Sequence, residues 1–168
     1  MKGARVFRIF KATAEQLAMP MLPVPVPGAD LCGRSTWPPR FGARVLVDLY
    51  WTMLAPGSGR VYELEHDGSI IFHAYVVQSV RKFPFMEPGD IQIGKCYTDP
   101  AYRGRGIYPW AVREIAKREL DVEGRKAFML VDPSNIPSLK GVAKAGFTEA
   151  GTAAVTFNLF VGKVYEPT

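Results

Sequence analysis

Alternation and periodicity divide most of the chain into short strands and amphipathic helices. Residues 6–10 alternate in the manner of a first strand, and Ala14-Glu-Gln-Leu-Ala18 reads as a short helix after it. Arg60-Val-Tyr-Glu-Leu-Glu65 alternates again, His66-Asp-Gly-Ser69 places Asp-Gly at a turn, and residues 69–80 return as an apolar strand, which predicts a hairpin. Ile91-Gln-Ile-Gly-Lys-Cys-Tyr97 is a half-buried strand apart from its glycine and its final Cys-Tyr pair. Beyond it Ile107, Tyr108, Ala111, Val112, Ile115 and Ala116 recur at helical spacing, with Arg113, Glu114, Lys117 and Arg118 between them, so a helix is predicted from near Gly106 to about Leu120. Residues 126–131 form a buried strand. Asp132, Ser134 or Asn135 can then cap a helix that takes Pro137 in its first turn and ends at Gly146. Residues 147–165 read as a closing antiparallel pair, whereas 45–53 fit a strand or a buried helix equally well.

Proline sets the character of residues 20–39, where Pro20, Pro23, Pro25, Pro27, Pro38 and Pro39 are six of the chain's 14 prolines. Each lacks a donor and restrains its predecessor, which excludes a helix or a central strand there and leaves an irregular ordered loop, a substrate-side lid or a docking segment. A length of 168 residues suits one core, and 48% hydrophobic with 22% charged residues is the composition of a globular protein. No apolar run approaches the roughly 20 residues of a membrane helix, and the first residues have no signal-peptide core. Cys32 and Cys96, the 2 cysteines, have no metal-ligand spacing, so reduced thiols in a cytoplasm and no metal are the expectation. A net charge of +5 favours acidic partners, among them a phosphorylated small molecule. Nucleic acid is disfavoured by the lack of a basic stripe interleaved with aromatics.

The chemistry concentrates between the 91–97 strand and the helix after it, in Thr98-Asp-Pro-Ala-Tyr-Arg-Gly-Arg-Gly-Ile-Tyr108. The first N–H groups of a helix lack internal partners and lie at the positive end of its dipole, so a glycine-rich approach makes an anion cradle. Gly104 and Gly106 permit the positive φ angles of such a nest, Arg103 and Arg105 add charge, and Pro109 fits the first turn without loss of a hydrogen bond. An isolated Arg-Gly-Arg-Gly is equally a solvated basic turn.

Arg103-Gly-Arg-Gly-Ile-Tyr108 resembles the pyrophosphate-binding Arg/Gln-x-x-Gly-x-Gly/Ala segment of the GNAT superfamily of acyl-CoA-dependent N-acyltransferases, and Thr98-Asp-Pro100 is similar to that family's Val-x-Pro lead-in. Asn135, Ser138, Gly146 and Phe147 fall in the register of the family's second motif, Asn-x-x-Ala/Ser…Gly-Phe. The resemblance implies an α/β fold, a central, mostly antiparallel mixed sheet flanked by helices on both faces. It implies one domain over 1–168, with a divergent and substrate-side part at 1–59 and a CoA-binding core at 60–165. Acetyl-CoA or CoA would be held by the backbone of residues 104–109, which includes Ile107, Tyr108 and Pro109, with help from Arg103 and Arg105. The backbone of Cys96, Tyr97 and Thr98 would hold the pantetheine arm and polarise the thioester carbonyl, with Asn135 and Ser138 in contact with the arm. Plain helix capping is the other reading of Asn135 and Ser138.

The same resemblance implies an N-acetyltransferase that acts on a primary amine of a small molecule, and homodimers are common in such folds. The usual catalytic positions depart from the pattern: Val142 stands where the family often has a tyrosine acid, Gln92 where it often has a base, and Tyr108 where the loop usually has a small residue. Tyr97, next to the expected thioester, and His73 are the substitutes, with Glu63, Glu65 and Asp90 behind them. His73 is otherwise a satisfied sheet histidine, His66 a turn residue and Tyr97 a core residue. A CoA-binding module without catalysis, and a basic nucleic-acid-binding domain, are the alternatives.

Overall fold

The computed structural model describes residues 5–18, 22–35, 59–78, 83, 85–158 and 161–165. The elements are β1 (Arg5–Ala12), α1 (Ala14–Leu17), β2 (Asp30–Ser35), β3 (Gly59–His66), β4 (Ser69–Gln78), β5 (Ile91–Thr98), a 3-10 turn (Pro100–Tyr102), α2 (Ile107–Glu119), β6 (Ala127–Val131), α3 (Ile136–Lys144), β7 (Thr148–Asn158) and β8 (Val161–Tyr165). The ambiguous 45–53 segment and residues 36–39 of the proline-rich stretch lie outside the described residues. Asp67 and Gly68 both take positive φ, 49° and 72°, as a two-residue hairpin requires, which confirms the Asp-Gly turn between β3 and β4.

One eight-stranded sheet runs in the order β2-β3-β4-β5-β6-β1-β7-β8. Every neighbouring pair is antiparallel except β5 and β6. The first strand in the chain is thus central, with Arg8 paired to Val131 on one side and Thr152 on the other. β2 was not anticipated. It falls within the proline-rich stretch but after Pro27, and it forms an edge strand whose only buried side chain is Leu31, so its register comes from the β3 backbone rather than from alternation.

Side chains of the sheet divide between two faces. Tyr62, Leu64, Phe72, Ala74, Ile91, Ile93 and Met129 face α2, whose Ile107, Ala111, Val112 and Ile115 complete the main core with Leu17 of α1 and Val142 of α3. Ile9, Phe128 and Ala153 form a second cluster under Met86, Phe83 and Phe85. Among the described residues no helix is long and apolar enough to cross a membrane.

Two buried polar links lock α2 in place. Arg113, 4% exposed, donates to the carbonyls of Leu17 at 2.9 Å and Ala145 at 3.3 Å, so one cation closes the C-terminal ends of both α1 and α3. At the other end of α2 the buried Glu119 carboxylate accepts from the Tyr62 hydroxyl at 2.7 Å and from Arg60 at 3.1 Å. Burial first, and then that carboxylate, push Tyr62 up to about 12.

Arg113→Met keeps the aliphatic bulk but strands two helix-end carbonyls. Urea unfolding should show a loss of about 3 kcal/mol, from two charge-assisted hydrogen bonds at roughly 1.5 kcal/mol each; an unchanged midpoint would refute the role. Tyr62 stays protonated in the native state where an unfolded tyrosine, at its ordinary value of 10, ionises. The stability it contributes is therefore complete below pH 10 and lost as pH rises to about 12. Tyr62→Phe should flatten the alkaline limb of a stability profile over that interval, read by circular dichroism.

Candidate active site

β5 and β6 are paired at only two positions, Ile91 with Ala127 and Gln92 with Phe128. Beyond them the strands part. Residues 93–96 of β5, and 129–131 of β6 with Asp132 just after it, line a groove of about 170 Å³ with Tyr108 from α2 and Asn135 and Ser138 from the start of α3. Asp90 fixes the closed end of this wedge: its carboxylate, 1% exposed, accepts from the N–H of Glu87 at 2.7 Å and of Lys126 at 2.9 Å. It is a brace between the two strand starts, away from the groove lining.

A bulge on β5 decides which side chains see the groove. Tyr75 of β4 opposes Gly94, but His73, two residues back, opposes Tyr97, three residues on. Lys95 absorbs the extra residue with φ 51°. Because side chains alternate, this slip turns Cys96 toward the main core and the groove and Tyr97 to the opposite face. The Cys96 thiol is pushed up to about 12 by burial. Tyr97 is 44% exposed and stacks on His73 at 5.4 Å between ring centroids. Glu63, opposite His73 on β3, is 8% exposed and lies 3.4 Å from the Arg34 guanidinium. Thus Glu63, His73 and Tyr97 form one row across three strands, and Nδ1 of His73 is buried within it. His66 sits at the hairpin turn, 3.2 Å from Asp67, and Glu65 is exposed.

The loop after β5 delivers the helix N-terminus. Asp99 caps the 3-10 turn by accepting from the Ala101 N–H at 2.8 Å, and Gly104 and Gly106 follow with φ 78° and 80°. An added Cβ would meet nothing at either glycine, so it is conformation rather than crowding that requires them. No side chain caps α2 at Gly106. Its first-turn N–H groups are therefore available to an anion, and Pro109 contributes none. The arginines are turned inward to the loop itself: Arg103 donates to the Thr98 carbonyl at 3.1 Å and lies over the Tyr97 ring at 5.8 Å, while Arg105 donates to the Ala101 carbonyl at 3.3 Å and covers Tyr102 at 4.9 Å.

Asn135 caps α3, its carboxamide oxygen accepting from the Ser138 N–H at 3.2 Å, and both residues also line the groove. Capping occupies one carboxamide atom, so the amide nitrogen remains a donor. Val142 is fully buried in the main core. The ring of Tyr108 crosses to α3 and lies where a Cβ on Gly141 would come within 2.4 Å of it. Sequence reasoning placed the Tyr108 backbone at the cradle but did not place its side chain in the groove. The glycine at 141, inside a helix, was the available signal. Lining residues 129–131 carried no signal, because they read simply as a buried strand. Among the described residues no group of three His, Cys, Asp or Glu could hold a metal.

Comparison with known proteins agrees with this fold. No curated protein matches the sequence. Among solved structures, a GCN5-related N-acetyltransferase from Kribbella flavida superposes with TM-score 0.58 at 13% identity over 90% of this chain and 58% of that one. A tandem GNAT protein from the clavulanic acid biosynthesis pathway gives TM-score 0.61 at 17% identity over 90% of this chain and 54% of that one. The chain therefore spans little more than half the length of either. The aminoglycoside N-acetyltransferase AAC(6')-Iy in complex with CoA gives TM-score 0.55 at 16% identity, over 79% of this chain and 97% of that one. The acetyltransferase (GNAT) family itself matches residues 30–147. With the groove, the loop and the helix start all inside that match, the chain belongs to the acetyltransferase (GNAT) family.

Proposed function

We propose that the chain transfers an acetyl group from acetyl-CoA to the primary amine of a small molecule. The observation that carries this reading is the two-residue pairing of β5 and β6, which opens the groove beside a helix N-terminus without a side-chain cap. The amides of a pantetheine arm can pair with a parted strand as an added strand would, and a diphosphate suits backbone N–H groups of residues 104–108. That AAC(6')-Iy was solved both with CoA and with a bisubstrate analogue of CoA and acetylneamine supports a small-molecule acceptor.

CoA, when bound, supplies an activated thioester; the chain supplies position and charge. In this reading the backbone of Cys96, Tyr97 and Thr98 aligns the arm and presents an N–H to the thioester oxygen, an electrostatic contribution of about 3 kcal/mol in comparable sites. Asn135 and Ser138 contact the arm. Arg103 and Arg105 reach the phosphates only by leaving Tyr97 and Tyr102. On the opposite face, His73 and Tyr97 receive the acceptor amine and His73 takes its proton, with Glu63 opposite His73 on β3. A CoA-binding module without catalysis is the second reading, favoured by Val142, which is aliphatic and sealed in the core.

Isothermal titration with acetyl-CoA and with CoA tests the binding half, and no heat at high micromolar ligand would refute it. Gly106→Ala forces a left-handed alanine at the cradle and should weaken CoA about tenfold, equivalent to roughly 1.4 kcal/mol. Thiol release with a broad panel of amines separates the two readings: release with any of them eliminates the non-catalytic module. The pKa of Cys96 also gives a labelling prediction. At about 12, its thiolate is scarce at neutral pH, so iodoacetamide should modify the exposed Cys32 first. Labelling of Cys96 should rise about tenfold per pH unit and be suppressed by CoA. Mass spectrometry of the labelled peptides reads both.

A further inference from the structure

The groove has a half-buried phenol that the family pattern does not provide. Tyr108 enters from the first turn of α2, and its ring edges Phe72 at 6.5 Å between centroids. It then lies against the bare backbone of Gly141, where any Cβ would approach within 2.4 Å. Its hydroxyl lies near the side chain of Ser138, and the Cys96 thiol is close enough that a charge there would oppose ionisation of the phenol. Tyr108, Ser138 and Cys96 are all part of the groove lining. This phenol carries its proton at neutral pH at its ordinary value already, and burial, more than any neighbour, raises it further. Val142, on α3 one residue beyond Gly141, is enclosed by the core and has no proton to give. Tyr97 is on the other face of β5, and Tyr102 is in the loop under Arg105.

We infer that Tyr108 is the catalytic acid of this chain, its hydroxyl delivered to the leaving sulfur from α2 by a ring seated against Gly141. The inference rests on the acyl-transfer reading above. As the amine nitrogen bonds to the acyl carbon, the carbon–sulfur bond breaks and its electron pair stays on sulfur. The phenolic proton passes to that sulfur, and the proton shed by the nitrogen is taken by His73 and returns through solvent to the phenolate. The products are one amide and one free thiol. Gly141 is then the complement of Tyr108, the gap in α3 that lets a ring from α2 lie across it.

The experiment compares wild type with Tyr108→Phe, which keeps the ring and removes only the hydroxyl. Each protein is saturated with CoA and the bound thiol is titrated by its ultraviolet absorbance. A phenol that donates to the sulfur stabilises the thiolate, so the Phe variant should bind CoA as tightly as wild type and titrate about one pH unit higher. With an amine that supports thiol release, kcat should fall about 100-fold with KM for acetyl-CoA unchanged, and an aryl thioester, whose thiolate needs no proton, should restore most of the rate. Superimposable thiol titrations in two proteins that both bind CoA would overturn the inference while leaving the CoA-binding reading intact. Failure of the wild type to bind CoA would overturn both. A Tyr108→Ala protein that binds CoA more tightly and turns over as fast as wild type would show the ring to be filler, and would also overturn it.

Discussion

The structure depends on how briefly β5 and β6 stay together. Parallel strands need a long crossover, here the loop and α2, and a parallel pair normally continues its ladder for the length of the strands. In this chain it ends at Gln92 and Phe128. Each strand is held on its outer side, β5 by β4 and β6 by β1, so neither can close the gap by shifting. Asp90 fixes the near end, where a single buried carboxylate accepts from two backbone N–H groups on the two approaches. Divergence is therefore confined to the far end, beside the start of α2. Buried backbone groups are seldom left without partners, so a parted sheet in the middle of a domain is a site that expects an extended ligand.

The helices are held to this geometry by buried charge rather than by apolar contact alone. Arg113 joins α2 to the ends of α1 and α3, and Glu119 joins it to β3 through Tyr62 and Arg60. Removing one partner of such a link leaves the other desolvated, which penalises any slide of α2 along the sheet. A slide of one turn would carry the helix start about 5.4 Å from the groove and with it the N–H groups of the cradle. By contrast, the surface pair of Arg8 and Glu149 is open to water and contributes little to position.

Elements with a local cause were legible in the sequence. The Asp67-Gly68 turn, the helix start after Gly106 and the cap at Asn135 each follow from a residue's own backbone or hydrogen-bonding preference. Elements with a non-local cause were not. β2 is defined by the β3 edge it pairs with, and β1 lies between β6 and β7 although it is first in the chain. The slip at Lys95 reverses the inside and outside of β5 for its last residues, yet Gly-Lys-Cys-Tyr contains no sign of which residue bulges. That single left-handed lysine is why Cys96 faces the core and Tyr97 the opposite side, and not the reverse. The row of Glu63, His73 and Tyr97 likewise exists only through register.

The arginines of the loop have contacts that composition alone does not show. Arg-Gly-Arg-Gly reads as a cationic hand for phosphate; in the structure the guanidinium groups lie over Tyr97 and Tyr102 and donate to the carbonyls of Thr98 and Ala101. On an exposed turn their charge is screened within about 10 Å at moderate salt. Their contacts instead stiffen the turn, because each bridges from the glycine segment back to residues 97–102. The glycines on either side of Arg105 then hold the left-handed conformations that aim the backbone. The fixed partial charges of a rigid N-terminus need no reorganisation when an anion arrives, whereas a free arginine must lose side-chain entropy to meet it. In this structure the arginines brace the backbone that leads into α2.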